Sequence, residues 1–325
     1  MLDKLTDRKR KTKLAILILV FMTLCFAAIF LFVGLTEKNI HFYLPRRLER
    51  VGAVLLVSYC IGSSSVVFQT ITNNRILTPS VMGLDSLYMF IQTVVVFFFG
   101  SRQIAMMTGQ VNFLISVGAM VFASWVLFFL LFKGEGKNVY FLVLAGMILG
   151  SFFSGLSTFM QVLLDPNEFL VLQGKMFASF SNINNDLLGL CVLIVGICIL
   201  ITIKDYSSLD VLSLGVDHGI NLGISYKGLV LRNLMVISVL ISVSTVLVGP
   251  ITFLGILLVS LARQIVPTYK HSILITVSTL LGCLSLLGGL LMIERIFKYE
   301  TTISVVINFV GGIYFIYLML KESKK

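Results

Sequence analysis

The chain has 325 residues, of which 58% are hydrophobic and only 12% charged, and its mean hydropathy is +1.01. That composition excludes an ordinary soluble enzyme of two domains and points to helices in lipid. The formal charge of +10 reads as the asymmetry of membrane topology, because no aromatic-interleaved basic patch or nucleic-acid motif accompanies it; nucleic acid is not an expected partner.

The N-terminus, MLDKLTDRKRKTK, is basic. The apolar run after it is too long for a signal-peptide core and no small-residue cleavage site clearly follows, so it reads as an uncleaved first span, about 14–35. Nine more apolar runs follow, at about 51–70, 82–100, 110–132, 139–164, 185–203, 228–248, 251–265, 271–293 and 303–320. Backbone amides in lipid must bond within their own helix, so each run is expected to be helical. The fold class is all-α, a polytopic membrane protein of about ten transmembrane helices.

An even number of spans puts both termini on one side. That side collects 17 of the 25 Lys and Arg residues, so the termini, 1–13 and 321–325, and the segment 204–227 are assigned to the cytoplasm. The prolines, Pro45, Pro79, Pro166, Pro250 and Pro267, all fall at segment boundaries, where a helix can end without losing an internal bond. Two of these breaks look alike: NNRILTPSVMG at 73–83 after the second span, and Gly249–Pro250 before a short eighth one. Paired interruptions of this kind point to internal inverted repeats around a transport path. Arg46, Arg47 and Arg50 fall in one external loop, Arg295 and Lys298 in another.

The polar island KDYSSLDVLSLGVDHGINLGISYK, 204–227, is too long and polar for lipid. Leu209, Leu212 and Val216, then Val216, Ile220 and Ile224, repeat at helical spacing, while Gly215, Gly219 and Gly223 recur every four residues. The pattern predicts two short helices with a sharp bend, amphipathic, with an apolar stripe that must rest on lipid or in a partner's groove. His218 reads as a solvent-facing loop residue.

Several chemistries lack their residues. Cys25, Cys60, Cys191, Cys198 and Cys283 make no CxxC pair and accompany only three histidines, so neither a disulfide framework nor a metal site is expected. Protease, hydrolase, phosphate-loop and dinucleotide signatures are missing, and no catalytic residue is assigned. Within the spans, ionisable side chains are nearly absent, with Asp85 and Arg232 close to span ends, which disfavours a secondary transporter driven by buried carboxylates.

From about residue 42 onward the chain resembles the iron-chelate uptake permeases, the group that includes the cobalamin importer permease. In QTITNNRILTPSVMGLDSL, 69–87, Asn74, Ile76, Pro79, Met82 and Gly83 occupy the places of that family's motif after the second span, with Arg75 where proline is usual. Pro45 and Arg46 match the opening of the second span, and Leu214, Gly215, Leu222 and Gly223 match a cytoplasmic Leu-Gly…Leu-Gly loop. GPITFLGILLVSLAR, 249–263, matches a Gly-Pro-Ile run ending in Leu-Ala-Arg, and Glu300, Gly311 and Tyr317 match the last span. Val259–Ser260 and Thr302–Ile303–Ser304 depart from the family pattern.

The resemblance implies one transmembrane permease domain, 1–325, in the cytoplasmic membrane, serving a binding-protein-dependent importer. No cofactor would bind this chain; ATP and Mg would be held by cytoplasmic ATPase subunits. Ferric siderophore is the implied cargo, with cobalamin or haem as alternatives and a secondary transporter as a further one. The second permease could be another copy or a different chain. Leu212, Leu214, Gly215, Val216, Gly219, Leu222 and Gly223 would couple to the ATPase. Arg46, Arg47, Arg295 and Lys298 would meet an external solute-binding protein, and Asn74 and Ile76 would form the cytoplasmic gate.

Overall fold

A computed structural model describes residues 2–34, 39–106, 109–132, 139–181, 183, 185–298 and 300–322. The apolar runs become α1 (Leu2–Phe32), α2 (Ile40–Ile71), α3 (Leu84–Met106), α4 (Gly109–Phe132), α5 (Val139–Val162), α7 (Asn185–Leu212), α9 (Tyr226–Val248), α10 (Leu254–Ile265), α11 (His271–Arg295) and α12 (Ile303–Glu322). Two short helices, α6 (Pro166–Met176) and α8 (Val216–Asn221), connect them, and a 3-10 turn at Pro79–Met82 precedes α3. Seven of these helices are long and apolar enough to cross a membrane, and three shorter apolar ones, Leu84–Gly100, Leu254–Ile265 and Ile303–Tyr317, complete the ten.

Several boundaries correct the sequence reading. The basic N-terminus is helical from Leu2, as one continuous α1. Helix α2 starts at Ile40, so Arg46, Arg47 and Arg50 lie on its early turns instead of in a loop, with Pro45 inside the helix. Helix α6 was not expected at all; Asp165 caps it through Asn167 N–H at 3.0 Å and Pro166 opens it. The island is not two short helices. Its first half is the end of α7, which runs on from the membrane segment to Leu212, and only α8 is separate. Lys38, Lys133, Lys137, Lys324 and Lys325, counted above for topology, lie outside the described residues.

Helix α2 is the hub. From Ala53 to Ile71 it is almost wholly buried, against α11, α9, α7 and α10. Small residues make the approach close: a methyl group at Gly62 would stand 3.2 Å from Ser278 Cβ, and one at Gly282 would stand 2.8 Å from Ser58 Cβ. Helices in lipid gain little from hydrophobic exclusion of one another, so such backbone proximity and its dispersion contacts carry the association.

The packing pattern repeats with an offset of five spans. Helix α2 packs on α11 as α9 packs on α4; α3 packs on α5 as α10 packs on α12; α3 packs on α4 as α10 packs on α11. Five is odd, so the second set enters the membrane from the opposite face, the relation expected of inverted repeats. Both breaks fall at equivalent places. The 12 residues of α10 reach only about 18 Å, short of a hydrocarbon core of about 30 Å. The irregular backbone at 78–83 and 249–253 is tolerated because protein covers it: Thr78, Pro79, Met82, Gly83 and Ile251 are buried. The first break docks on α5, where Gly146 and Gly150 clear a groove; a methyl group on Gly83 would lie 2.6 Å from Gly150 Cα.

Candidate functional site

The site begins where α7 leaves the bundle. Leu209 and Leu212 are fully buried in the core, and Val216 and Ile224 pack against the same cluster. The chain then turns at Gly215 (φ +118) into α8 and leaves through Gly223 (φ +87). Gly223 N–H donates to Ile220 O at 2.9 Å and Ile224 N–H to Gly219 O at 3.0 Å, a Schellman closure whose left-handed position favours glycine. Gly219 is buried against Leu212 and Ile224, where an added methyl group would make ordinary contacts, the nearest at 3.5 Å from Leu212 Cδ1. On the outer face Leu214, Ile220 and Leu222 are 62%, 52% and 65% exposed. Ile220 thus leaves the stripe in which its spacing placed it. The element is a fixed loop with its apolar tips outward, where covering each tip would contribute about 1.5–3 kcal/mol.

Two polar clusters anchor this loop to the bundle. Asp205 of α7, 2% exposed, accepts from Arg232 Nε at 2.8 Å, from Arg232 Nη2, and from Asn233 Nδ2 at 2.8 Å, tying α7 to α9 on either side of α8. Asp210, one turn further along, accepts the His271 backbone N–H at 2.7 Å and faces His271 Nδ1 at 2.6 Å through the same oxygen. The imidazole, 1% exposed, meets Thr70 Oγ1 with its other nitrogen at 2.8 Å. Asp210 therefore closes the start of α11, and the ring carries the link on to the last turn of α2. Sequence reasoning missed Asp205, Asp210, His271 and Thr70. Two aspartates at the start of the polar island were the available signal, but their partners lie 27 and 61 residues away.

Four residues beyond Thr70 comes the gate candidate. Asn73 (φ +46) closes α2 in a second Schellman geometry, with Asn73 N–H on Thr70 O at 3.2 Å and Asn74 N–H on Gln69 O at 3.1 Å. Asn74 Oδ1 accepts Ile76 N–H at 2.9 Å, so the two gate candidates share one small turn, both half-buried. The α8 loop and this turn are thus joined through Asp210, His271 and Thr70.

At the opposite end the basic residues separate into two kinds. Arg47 is turned inward: Nη1 donates to the Phe30, Leu31 and Val33 carbonyls at 2.8, 3.1 and 2.9 Å, and Nη2 pairs with Glu294 at 3.0 Å. Helix α1 ends with carbonyls lacking helical partners, and a guanidinium there satisfies both the bonds and the dipole. Arg50 Nη2 donates to Ser181 O at 3.2 Å. Arg46 and Lys298 are exposed, Arg46 lying 4.2 Å over the Phe42 ring. Arg295 spends one bond on Val33 O at 2.7 Å and stays 46% exposed.

Nearby, Lys175 of α6 donates to Gln92 Oε1 at 2.8 Å, Gln92 donates to Ser116 Oγ at 3.0 Å, and burial lowers the pKa of the ammonium. Ser304, in the stretch that departs from the family's last-span opening, accepts Ala178 N–H at 2.6 Å beside Gly249–Pro250. Among the described residues, no group of three or more His, Cys, Asp or Glu could hold a metal ion.

The sequence profile of the FecCD transport family matches residues 14–321. The petrobactin import system permease protein YclO of Bacillus subtilis (strain 168) is 51% identical over 314 residues, covering 97% of this chain and 99% of that one. The petrobactin import system permease protein FatC of Bacillus anthracis is 35% identical over 277 residues, covering 85% and 78%. Among solved structures, a chain described as a metal-chelate type ABC transporter in an inward-facing conformation superposes with a TM-score of 0.82. It covers 95% of this chain and 99% of that chain at 22% identity, which establishes the shared fold. With its ten apolar helices, paired breaks and end-to-end match, this chain belongs to the FecCD transport family, as a multi-pass permease subunit of an ABC importer.

Proposed function

We propose that this chain moves a ferric siderophore of the petrobactin class across the cytoplasmic membrane, driven by ATP hydrolysis in a separate subunit. The cargo follows from the relatives, which are named for petrobactin import and match along nearly the whole chain. The coupling role rests on one observation: α8 and the residues flanking it hold Leu214, Ile220 and Leu222 exposed on one loop, an arrangement that serves a partner's groove. Both termini and α8 belong in the cytoplasm by the charge bias.

ATP-driven closure of the ATPase would push α8, and rigid-body motion would pass through Asp210, His271 and Thr70 to the turn holding Asn74 and Ile76. Outside, Arg46, Arg295 and Lys298 are placed to steer a solute-binding protein, whereas Arg47 serves α1. A second permease, identical or different, completes the path.

The test is affinity purification from native membranes together with uptake of labelled ferric petrobactin. The wild type should recover an ATPase and support uptake, and Leu214→Ala/Leu222→Ala should lose both at normal membrane levels. Retention of the ATPase by the double variant would refute the coupling assignment. Uptake of a different iron chelate in preference would refute the cargo.

A further inference from the structure

At the end of the bundle that carries α8, helices α4 and α9 leave a groove of about 460 Å3. Its walls are apolar, chiefly Trp125, Phe129, Leu231 and Met235, and its mouth carries Lys227 and Arg232. Phe122, Trp125 and Phe129 recur at i, i+3 and i+7 on one face of α4, with ring centroids 6.0 and 5.6 Å apart, and are 64%, 47% and 52% exposed. An aromatic face left outward on an apolar helix meets acyl chains, and tryptophan near a helix end favours the depth of the headgroups.

The charge at the mouth identifies the occupant. Lys227, on the first turn of α9, is exposed and makes no ion pair among the described residues. Arg232 gives Nε and Nη2 to Asp205 and keeps Nη1 uncommitted, with its side chain 54% exposed. Two cationic donors above an aromatic and aliphatic cleft fit a phosphate joined to a hydrocarbon tail. A zwitterionic headgroup would bring its own ammonium against Lys227, so the pair favours a lipid with net negative charge. Free phosphate would leave the apolar walls unused.

We propose that the α4–α9 groove binds an anionic phospholipid, with its phosphate between Lys227 and Arg232 and an acyl chain along Trp125 and Phe129. The headgroup then rests on the first turn of α9, directly after the α8 loop, and gives that turn a fixed anionic neighbour.

Trp125 is the only tryptophan in the chain, so its fluorescence reports this groove. The experiment places the full chain in nanodiscs of phosphatidylcholine containing brominated phosphatidylglycerol or, at equal mole fraction, brominated phosphatidylcholine. Quenching of Trp125 should show a preference of about fivefold for the anionic lipid, the effect of roughly one basic contact. Lys227→Gln should bring the two lipids level and Lys227→Arg should restore the preference, with the emission maximum unchanged as the check on folding. Equal quenching in the wild type, or an undiminished preference in Lys227→Gln, overturns the proposal. Loss of the preference on adding inorganic phosphate also overturns it, in favour of a simple anion site.

Discussion

At the scale of single residues, Arg47 shows how a charge can be local in sequence and structural in effect. It replaces water at three carbonyls closing α1 and neutralises Glu294, both partners being only 12% and 16% exposed. Arg47→Ala should therefore cost about 3 kcal/mol, the usual penalty for stranding a largely buried charge, and lower the melting temperature of the solubilised protein. Its neighbour Arg46 is exposed, and Arg46→Ala should leave stability within about 0.5 kcal/mol. It should instead raise the binding-protein concentration needed for half-maximal uptake, and more steeply at low salt. Equal destabilisation by both would contradict the division of roles.

The Asp210–His271–Thr70 link makes a different claim. Asp210→Ala removes the acceptor for two donors of His271, at about 1–3 kcal/mol each, and should be visible in thermal stability. Thr70→Val keeps the shape and removes only the hydroxyl, which also donates to Val66 O within its own helix. Because it strands one His271 nitrogen and not two donors, it should lower the melting temperature by less than Asp210→Ala while lowering the uptake obtained per ATP hydrolysed. An unchanged ratio would confine the link to structure.

At the scale of elements, the two kinds of glycine position should behave differently. Gly223 is left-handed but faces open space, so Gly223→Ala carries only the conformational cost of about 1–2 kcal/mol. The protein should reach the membrane with its ATPase attachment weakened. Gly83 is left-handed and also lies against the α5 backbone, with its added methyl 2.6 Å from Gly150 Cα. No side chain can rotate away from that contact, so Gly83→Ala should be largely lost from the membrane fraction. Immunoblots of membranes and pull-downs of the ATPase separate the two outcomes.

At the scale of the whole molecule, the inverted pairing of α2–α11 with α9–α4 joins the two halves, and each half carries an equivalent helix break. Ion-pair and hydrogen-bonded charge is concentrated at the two ends, Asp205, Asp210, Arg232 and His271 at one and Arg47, Glu294 and Arg295 at the other. On the proposed mechanism the scaffold rocks when the ATPase pushes α8. In liposomes the purified chain alone should transport no ferric chelate down or against a gradient. Uptake should require ATPase, ATP and binding protein together. Uptake by the chain alone would establish a secondary transporter.

Hydropathy and proline placement determined the ten spans and the position of both breaks, because lipid compels each apolar run to close its own hydrogen bonds. The recurring glycines of 204–227 likewise marked the bends around α8, since left-handed backbone leaves a sequence trace. Which face of that loop turns outward was decided only in three dimensions: Ile220 has the spacing of a core residue, yet a helix of six residues between two glycines need not keep phase with its neighbours. The same holds for the arginines, where Arg46 and Arg47 are adjacent in sequence but 100° apart around α2, one toward solvent and one toward α1. The anchors Asp205–Arg232 and Asp210–His271–Thr70 join residues up to 201 positions apart. No local pattern encodes such partners; they are selected when α2, α7, α9 and α11 pack side by side and buried charged groups are brought within reach of an acceptor or donor.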